Sequence, residues 1–189
     1  MPLVPMEELV SGGMVKGHVD ALRDRLGAAD FDRAIAALTA DQRAELLVVT
    51  AVTWVRIATV EALYAASAPG QGLSVADLHT QVASIVVGRT VSTLWRALLR
   101  LATDEMLFSR SPSIFAKAYR QGRLEVVRVA AGSAELRIVG WPSISEFALR
   151  GFRVGVESTL RTSGRRDPRG VASRTTDGAL IRVTWSGGR

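Results

Sequence analysis

Apolar residues recur at three- and four-residue spacing through the first two-thirds of the chain, the period of helices that bury one face. Val15, Val19, Leu22 and Leu26 form one stripe after the Gly12-Gly13 pair, and Gly27 closes it. A short second helix is expected from Asp30 as its cap, with Phe31, Ile35 and Leu38 on one face. Thr39 and Gln42 have the spacing of a capping box, which starts a third segment at Ala40. The residues between Leu47 and Val55 are largely β-branched, so a break is expected near Thr53, with a restart carrying Trp54, Ile57, Glu61 and Tyr64 as far as Pro69-Gly70-Gln71-Gly72. Ser74 and Asp77 form another capping pair, followed by Leu78, Val82, Ile85 and Val86 up to Gly88. Further helices are expected from Thr90 (Val91, Leu94, Trp95, Leu98, Leu101), from Asp104, and from Ser111-Pro112, the last carrying Phe115 and Tyr119 and stopped by Gly122.

At Arg123 the period changes from 3.6 to 2. Leu124, Val126 and Arg128 alternate with Glu125, Val127 and Val129, and a second alternating run follows Ala131-Gly132 from Ala134 to Val139, which together read as a hairpin. Ser143 and Glu146 then suggest a capped helix presenting Phe147, Gly151, Phe152, Gly155, Val156 and Leu160 on one side. A basic loop is expected from Arg161 to Gly170. A second hairpin, Val171 to Thr176 and Ala179 to Trp185, turns at Asp177-Gly178. The expected fold is α+β: an N-terminal helical layer (1–122) packed on a four-stranded antiparallel sheet built as hairpin-helix-hairpin (123–189), one domain in all.

Composition narrows the chemistry. With 48% hydrophobic and 22% charged residues the 189-residue chain belongs with folded globular proteins. It has no cysteine, which removes disulfides, thiolate zinc and iron–sulfur sites and a cysteine nucleophile. No signal peptide precedes the first helix, and the longest apolar stretch, Leu46 to Val60, is interrupted by Thr50, Thr53, Arg56 and Thr59, so a cytoplasmic location is expected. The formal net charge is +6, and seven arginines against Asp167 and Asp177 place +5 of it between Arg161 and Arg189.

The run from Gly88-Arg89-Thr90 to Leu101, then Phe108, Pro112, Phe115, Tyr119 and Gly122-Arg123-Leu124-Glu125-Val126-Val127, resembles a family of paralogous proteins best known from myxobacteria, as does the opening Val15-Lys16-Gly17. The Asp177-Gly178 turn and the closing Trp185 match that family's ending. The family is similar, more distantly, to the superfamily of heme-NO-binding domains, V4R (4-vinyl-reductase) domains and Bet3 subunits. The resemblance implies helices on an antiparallel sheet, homodimers through N-terminal helices, and an internal apolar cavity that in some members takes heme, phenols or acyl chains. It implies a sensor or interaction module and no enzyme. The V4R zinc cysteines are replaced by Ser173, Arg174, Thr175 and Thr176, and the Tyr-x-Ser-x-Arg signature that holds heme propionates does not occur. On these grounds no cofactor is expected, heme included.

Candidate site residues follow from these features. Trp54, Trp95, Phe115, Tyr119 and Phe152 could line an apolar ligand pocket, although aromatic residues at such spacing commonly only fill core. Arg161, Arg165, Arg166 and Arg169 could contact an anion, which makes nucleic-acid or nucleotide binding the first alternative. His79 is the one plausible axial ligand for a heme gas sensor, the second alternative, with His18 weaker. No carboxylate pair, nucleophile-base set or P-loop stands out.

Overall fold

The computed structural model describes residues 7–90 and 99–187. Among the described residues the N-terminal part begins with the α-helices α1 (Gly12–Leu26), α2 (Ala28–Ala36), α3 (Ala40–Leu47), α4 (Ile57–Ser67) and α5 (Val75–Thr90). Two short helices follow, α6 (Asp104–Ser109) and α7 (Ser111–Ala118). The C-terminal part is β3 (Arg123–Ala130), β4 (Ser133–Val139), α8 (Glu146–Thr162), β5 (Arg166–Thr175) and β6 (Gly178–Ser186).

The two hairpins join edge to edge into one antiparallel sheet of order β3-β4-β6-β5, with Leu136 opposite Ile181 and Ile138 opposite Ala179. Strict alternation makes the sheet two-faced. Ala134, Leu136, Ile138, Ala179, Ile181, Val183 and Trp185 are buried, while Arg137, Arg182 and Thr184 face water. A register shift between Val126 and Arg128 resets the alternation of β3, so Leu124, Val126 and Val129 pack inward and Val127 is left exposed. A bulge inserts one residue into one strand, and this explains why no single period covers β3. At the second turn Gly178 has φ +155°, and a Cβ there would collide with the carbonyl oxygen of Ile138 on the neighbouring strand.

Several helix boundaries follow the sequence signals and others do not. The Thr39/Gln42 capping box is present in full, and the Ser74 hydroxyl accepts from the Asp77 N–H at 3.0 Å. The second helix starts at Ala28, behind Gly27, and Asp30 lies in its first turn instead of capping it. The cap of α8 is Ser145, which accepts from the Ala148 N–H, and not Ser143. Helix α5 runs through Gly88 to Thr90. Val91, Leu94, Trp95 and Leu98 lie outside the described residues.

A further correction concerns Trp54. It stands on a three-residue strand, β2 (Trp54–Arg56), paired with β1 (Leu9–Ser11). Strands this short carry too little pattern to be read from a sequence. Tyr119, read as helical, is the extended residue that ends α7, and it forms a lone bridge with Val10 of β1. The N-terminal strand thereby holds the backbone at Tyr119, whose ring packs on Phe115 and Trp141.

The layers meet along α5 and α8. Helix α1 packs on α4 and α5, α5 packs on α8, and α8 lies across β5 and β6. Val15, Leu22 and Phe31 of the N-terminal stripe are buried in this chain's own core, which leaves them no surface to offer a second copy. Among the described residues no helix is long and apolar enough to cross a membrane.

Candidate functional site

Between α8 and the helices that precede it, chiefly α1, α5 and α7, lies an apolar cleft with two adjoining cavities. The smaller, about 80 Å³, is lined by Met14, Val15, His18, Val60, His79, Val86, Phe147 and Gly151 among others. The larger, about 210 Å³, is lined by Leu107, Phe108, Ile114, Phe115, Phe152, Val156 and Leu160 among others. Met14, Val87, Tyr119, Gly151 and Gly155 line both. The i, i+4 rule explains the wall that α8 provides: Phe147, Gly151 and Gly155 follow one line, with Phe152, Val156 and Leu160 beside it.

Of the pocket residues expected from sequence, the structure brings together Phe115, Tyr119 and Phe152. Phe115 meets Tyr119 and Phe152 with ring centroids 5.1 and 5.6 Å apart. Trp54 lines neither cavity; its ring lies under the Arg120 guanidinium, 6.0 Å away. Trp95 lies outside the described residues.

A buried polar cluster closes the inner end of the cleft. The His18 Nδ1 and the Tyr64 hydroxyl share a hydrogen bond of 2.6 Å. The His79 ring lies 5.8 Å from His18 and 5.0 Å from Tyr64, and stacks flat on Phe147 at 3.8 Å with 6° between planes. Burial lowers the His18 pKa to about 4. Burial first, then the His18 and Arg150 charges, lowers that of His79 to about 3. Burial also raises Tyr64, and pushes Tyr119 up to about 12. All four groups are therefore uncharged at neutral pH.

His79 is only 3% exposed, and its Nδ1 is a buried nitrogen with no hydrogen-bond partner. Such orphaned groups are rare, because an unmade hydrogen bond costs about 1–3 kcal/mol. The sequence singled out His79 for its residue type; its placement beside His18 and opposite Gly151 was beyond the reach of spacing, since the partners come from α1 and α8.

The four arginines differ in how they are engaged. Arg165 is buried, donating to Asp104 Oδ1 through Nε at 3.0 Å and Nη2 at 2.9 Å, and to the carbonyls of Ala102, Ser163 and Leu99. It joins the start of α6 to the turn after α8, so it is corrected from an anion contact to an internal tie. Arg161 belongs to α8 and reaches Glu157 at 3.5 Å, while Glu157 also accepts from Arg153 and the Gly170 N–H. Arg166 and Arg169 are exposed at the start of β5, in what was expected to be a loop. All four nevertheless line one open polar depression together with Arg153, Glu157 and Asp167, where Arg165 is taken up by Asp104 and Arg161 reaches Glu157. Among the described residues no group of three or more His, Asp or Glu side chains could hold a metal ion.

No family model matches the sequence, and no curated protein matches it. Solved structures do match the fold. An Fe(II) unliganded H-NOX protein from K. algicida is 16% identical, with a TM-score of 0.68 over 94% of this chain and 97% of that one. An oxygen-binding H-NOX domain related to soluble guanylate cyclases, in its oxygen complex, is 14% identical with a TM-score of 0.65 over 94% and 96%. A structure from work on modulating heme redox potential through protein-induced porphyrin distortion is 14% identical with a TM-score of 0.64 over 92% and 99%.

The chain thus has the H-NOX-like fold, helices packed against an antiparallel sheet. The expectation that no cofactor, heme included, belongs to it is corrected: the missing Tyr-x-Ser-x-Arg signature set heme aside, yet the fold is shared with Fe(II) and porphyrin proteins, and a buried imidazole lines the cleft. His79 fits an axial ligand, being neutral and partly unpartnered. Cavities of about 80 and 210 Å³ would have to open to admit a macrocycle, and among the described residues no Arg or Lys lines them to meet its carboxylates.

Proposed function

We propose that this protein is a non-enzymatic sensor module whose signal is occupancy of the cleft between α5 and α8. The observation that carries the reading is the neutral His79 imidazole in the lining of an apolar cavity, its Cε1 and Nε2 toward Gly151. A polar ring nitrogen at an otherwise apolar wall gives the cavity one point that can orient a guest. The larger cavity exceeds the roughly 150 Å³ that accepts benzene, so a small apolar molecule is a fitting occupant. Because α8 touches both the cleft and β5 and β6, a ligand that prefers one seating of α8 shifts the population of the whole C-terminal part toward it. Association into a homodimer belongs to the same reading, through a face other than the buried Val15, Leu22 and Phe31.

The second reading is a heme gas sensor with His79 as the axial ligand, favoured by its neutral imidazole at the wall of the cleft and by the kinship of fold. Heme would supply an iron centre for a diatomic gas, and His79 would hold it by a ring nitrogen.

Native mass spectrometry of protein expressed with added heme tests both readings together. A dimer retaining an organic small molecule supports the first. Retained heme, with a Soret band that His79→Ala abolishes, supports the second. A bare monomer contradicts both.

A further inference from the structure

Gly151 sits where the two cavities meet. A Cβ at this position would lie 3.1 Å from His79 Cε1, 3.4 Å from His79 Nε2 and 3.9 Å from the Tyr119 hydroxyl oxygen. The absent side chain lets the His79 ring edge pack closely on α8 with the Tyr119 hydroxyl nearby, and both side chains border the small cavity beside this contact. His79 and Tyr119 are more than nine-tenths buried, and the Tyr119 hydroxyl makes no hydrogen bond within the described residues.

The His79 Nδ1 has no acceptor within reach. Of the two tautomers, the one with its proton on Nδ1 would bury an N–H with nothing to receive it, a loss worse than a buried lone pair. The proton therefore belongs on Nε2, on the Gly151 side of the ring. A tyrosine hydroxyl is likewise a donor. Two neutral donors flank one apolar space, and among the described lining residues no Arg or Lys is present to balance an anion.

We infer that the cleft selects an uncharged, mostly apolar molecule bearing one acceptor oxygen, a ketone or aldehyde, whose carbonyl takes hydrogen bonds from His79 and Tyr119 in the cavity beside Gly151 while its hydrocarbon part fills the cavity between α7 and α8. This rests on the reading of the cleft as a ligand site. The larger cavity has room for a single ring with a short tail, and Phe115, Phe152 and Val156 give it apolar walls.

The test uses a matched pair, acetophenone and ethylbenzene, titrated into the full chain and followed by calorimetry. Each neutral hydrogen bond is worth about 0.5–1.5 kcal/mol net, so acetophenone is expected to bind roughly tenfold more tightly. Tyr119→Phe keeps the ring that packs against Phe115 and Trp141 and removes only the hydroxyl, and it is expected to shrink that preference severalfold while leaving ethylbenzene binding unchanged. Equal affinity for the pair, or an undiminished preference in Tyr119→Phe, overturns this inference and leaves the ligand site standing. Binding of neither molecule overturns both.

Discussion

The unfolding free energy is expected to fall as pH drops below 6.5, by about 1.4 kcal/mol per pH unit for each of two histidines. His18 and His79 have an ordinary value of 6.5, lowered by burial to about 4 and about 3 in the folded chain. Above pH 6.5 both are neutral folded and unfolded, and their burial carries no charge penalty. Below it the unfolded chain takes up two protons that the native chain refuses, and the loss continues until each folded value is reached. The groups facing them are each other, Tyr64, Phe147 and the Arg150 charge, none of which is a carboxylate able to stabilise an imidazolium. Across one and a half units the effect is several kcal/mol, a large share of the 5–15 kcal/mol typical of a whole protein. Urea denaturation at pH 7.5, 6.0 and 5.0 reads it before most carboxylates titrate. His79→Leu should roughly halve the slope, and a flat profile in the wild type would remove the buried neutral pair.

Arg165→Met is expected to lose about 3–5 kcal/mol, because it leaves the Asp104 carboxylate buried without its partner. The native guanidinium spreads its donors over Asp104 and three carbonyls, at 2.6 Å to Ala102, 3.0 Å to Ser163 and 3.3 Å to Leu99. No neighbouring group replaces those bonds. For a chain of this length the loss corresponds to a melting temperature lower by about 10 °C. Adding Asp104→Leu removes the stranded charge and should restore part of the loss, since a well-packed apolar pair can match a buried ion pair. Scanning calorimetry of the two variants decides it: an unchanged midpoint in Arg165→Met means that the pair holds nothing.

The C-terminal half was legible because its signals are local. Alternation in Ala134 to Val139 and Ala179 to Trp185, with Asp177-Gly178 between strands, specifies two hairpins, and they form as expected. The Thr39/Gln42 box is equally local and equally faithful. Errors arose where a distant partner decides the outcome. Trp54 takes a strand conformation because Ser11 pairs with it from forty residues away, and Tyr119 leaves its helix to bridge Val10. Arg165 looks like its exposed neighbours in sequence, and only the fold brings Asp104 to it. The same holds for the site. Phe115, Tyr119 and Phe152 could be named from a helical face, whereas the meeting of His79, Gly151 and Tyr119 draws on α5, α8 and the end of α7. Cofactor chemistry was the least legible part, since a short missing signature outweighed a likeness spread over the whole fold.

Xenon titration followed by methyl NMR measures most directly whether a guest can enter the space between α5, α7 and α8. Xenon occupies apolar cavities without needing a polar contact. Shifts concentrated on Met14, Val87, Ile114, Val156 and Leu160 are the expected result. Unmoved methyls at those five positions, or shifts scattered elsewhere in the core, would contradict a ligand-accepting cleft.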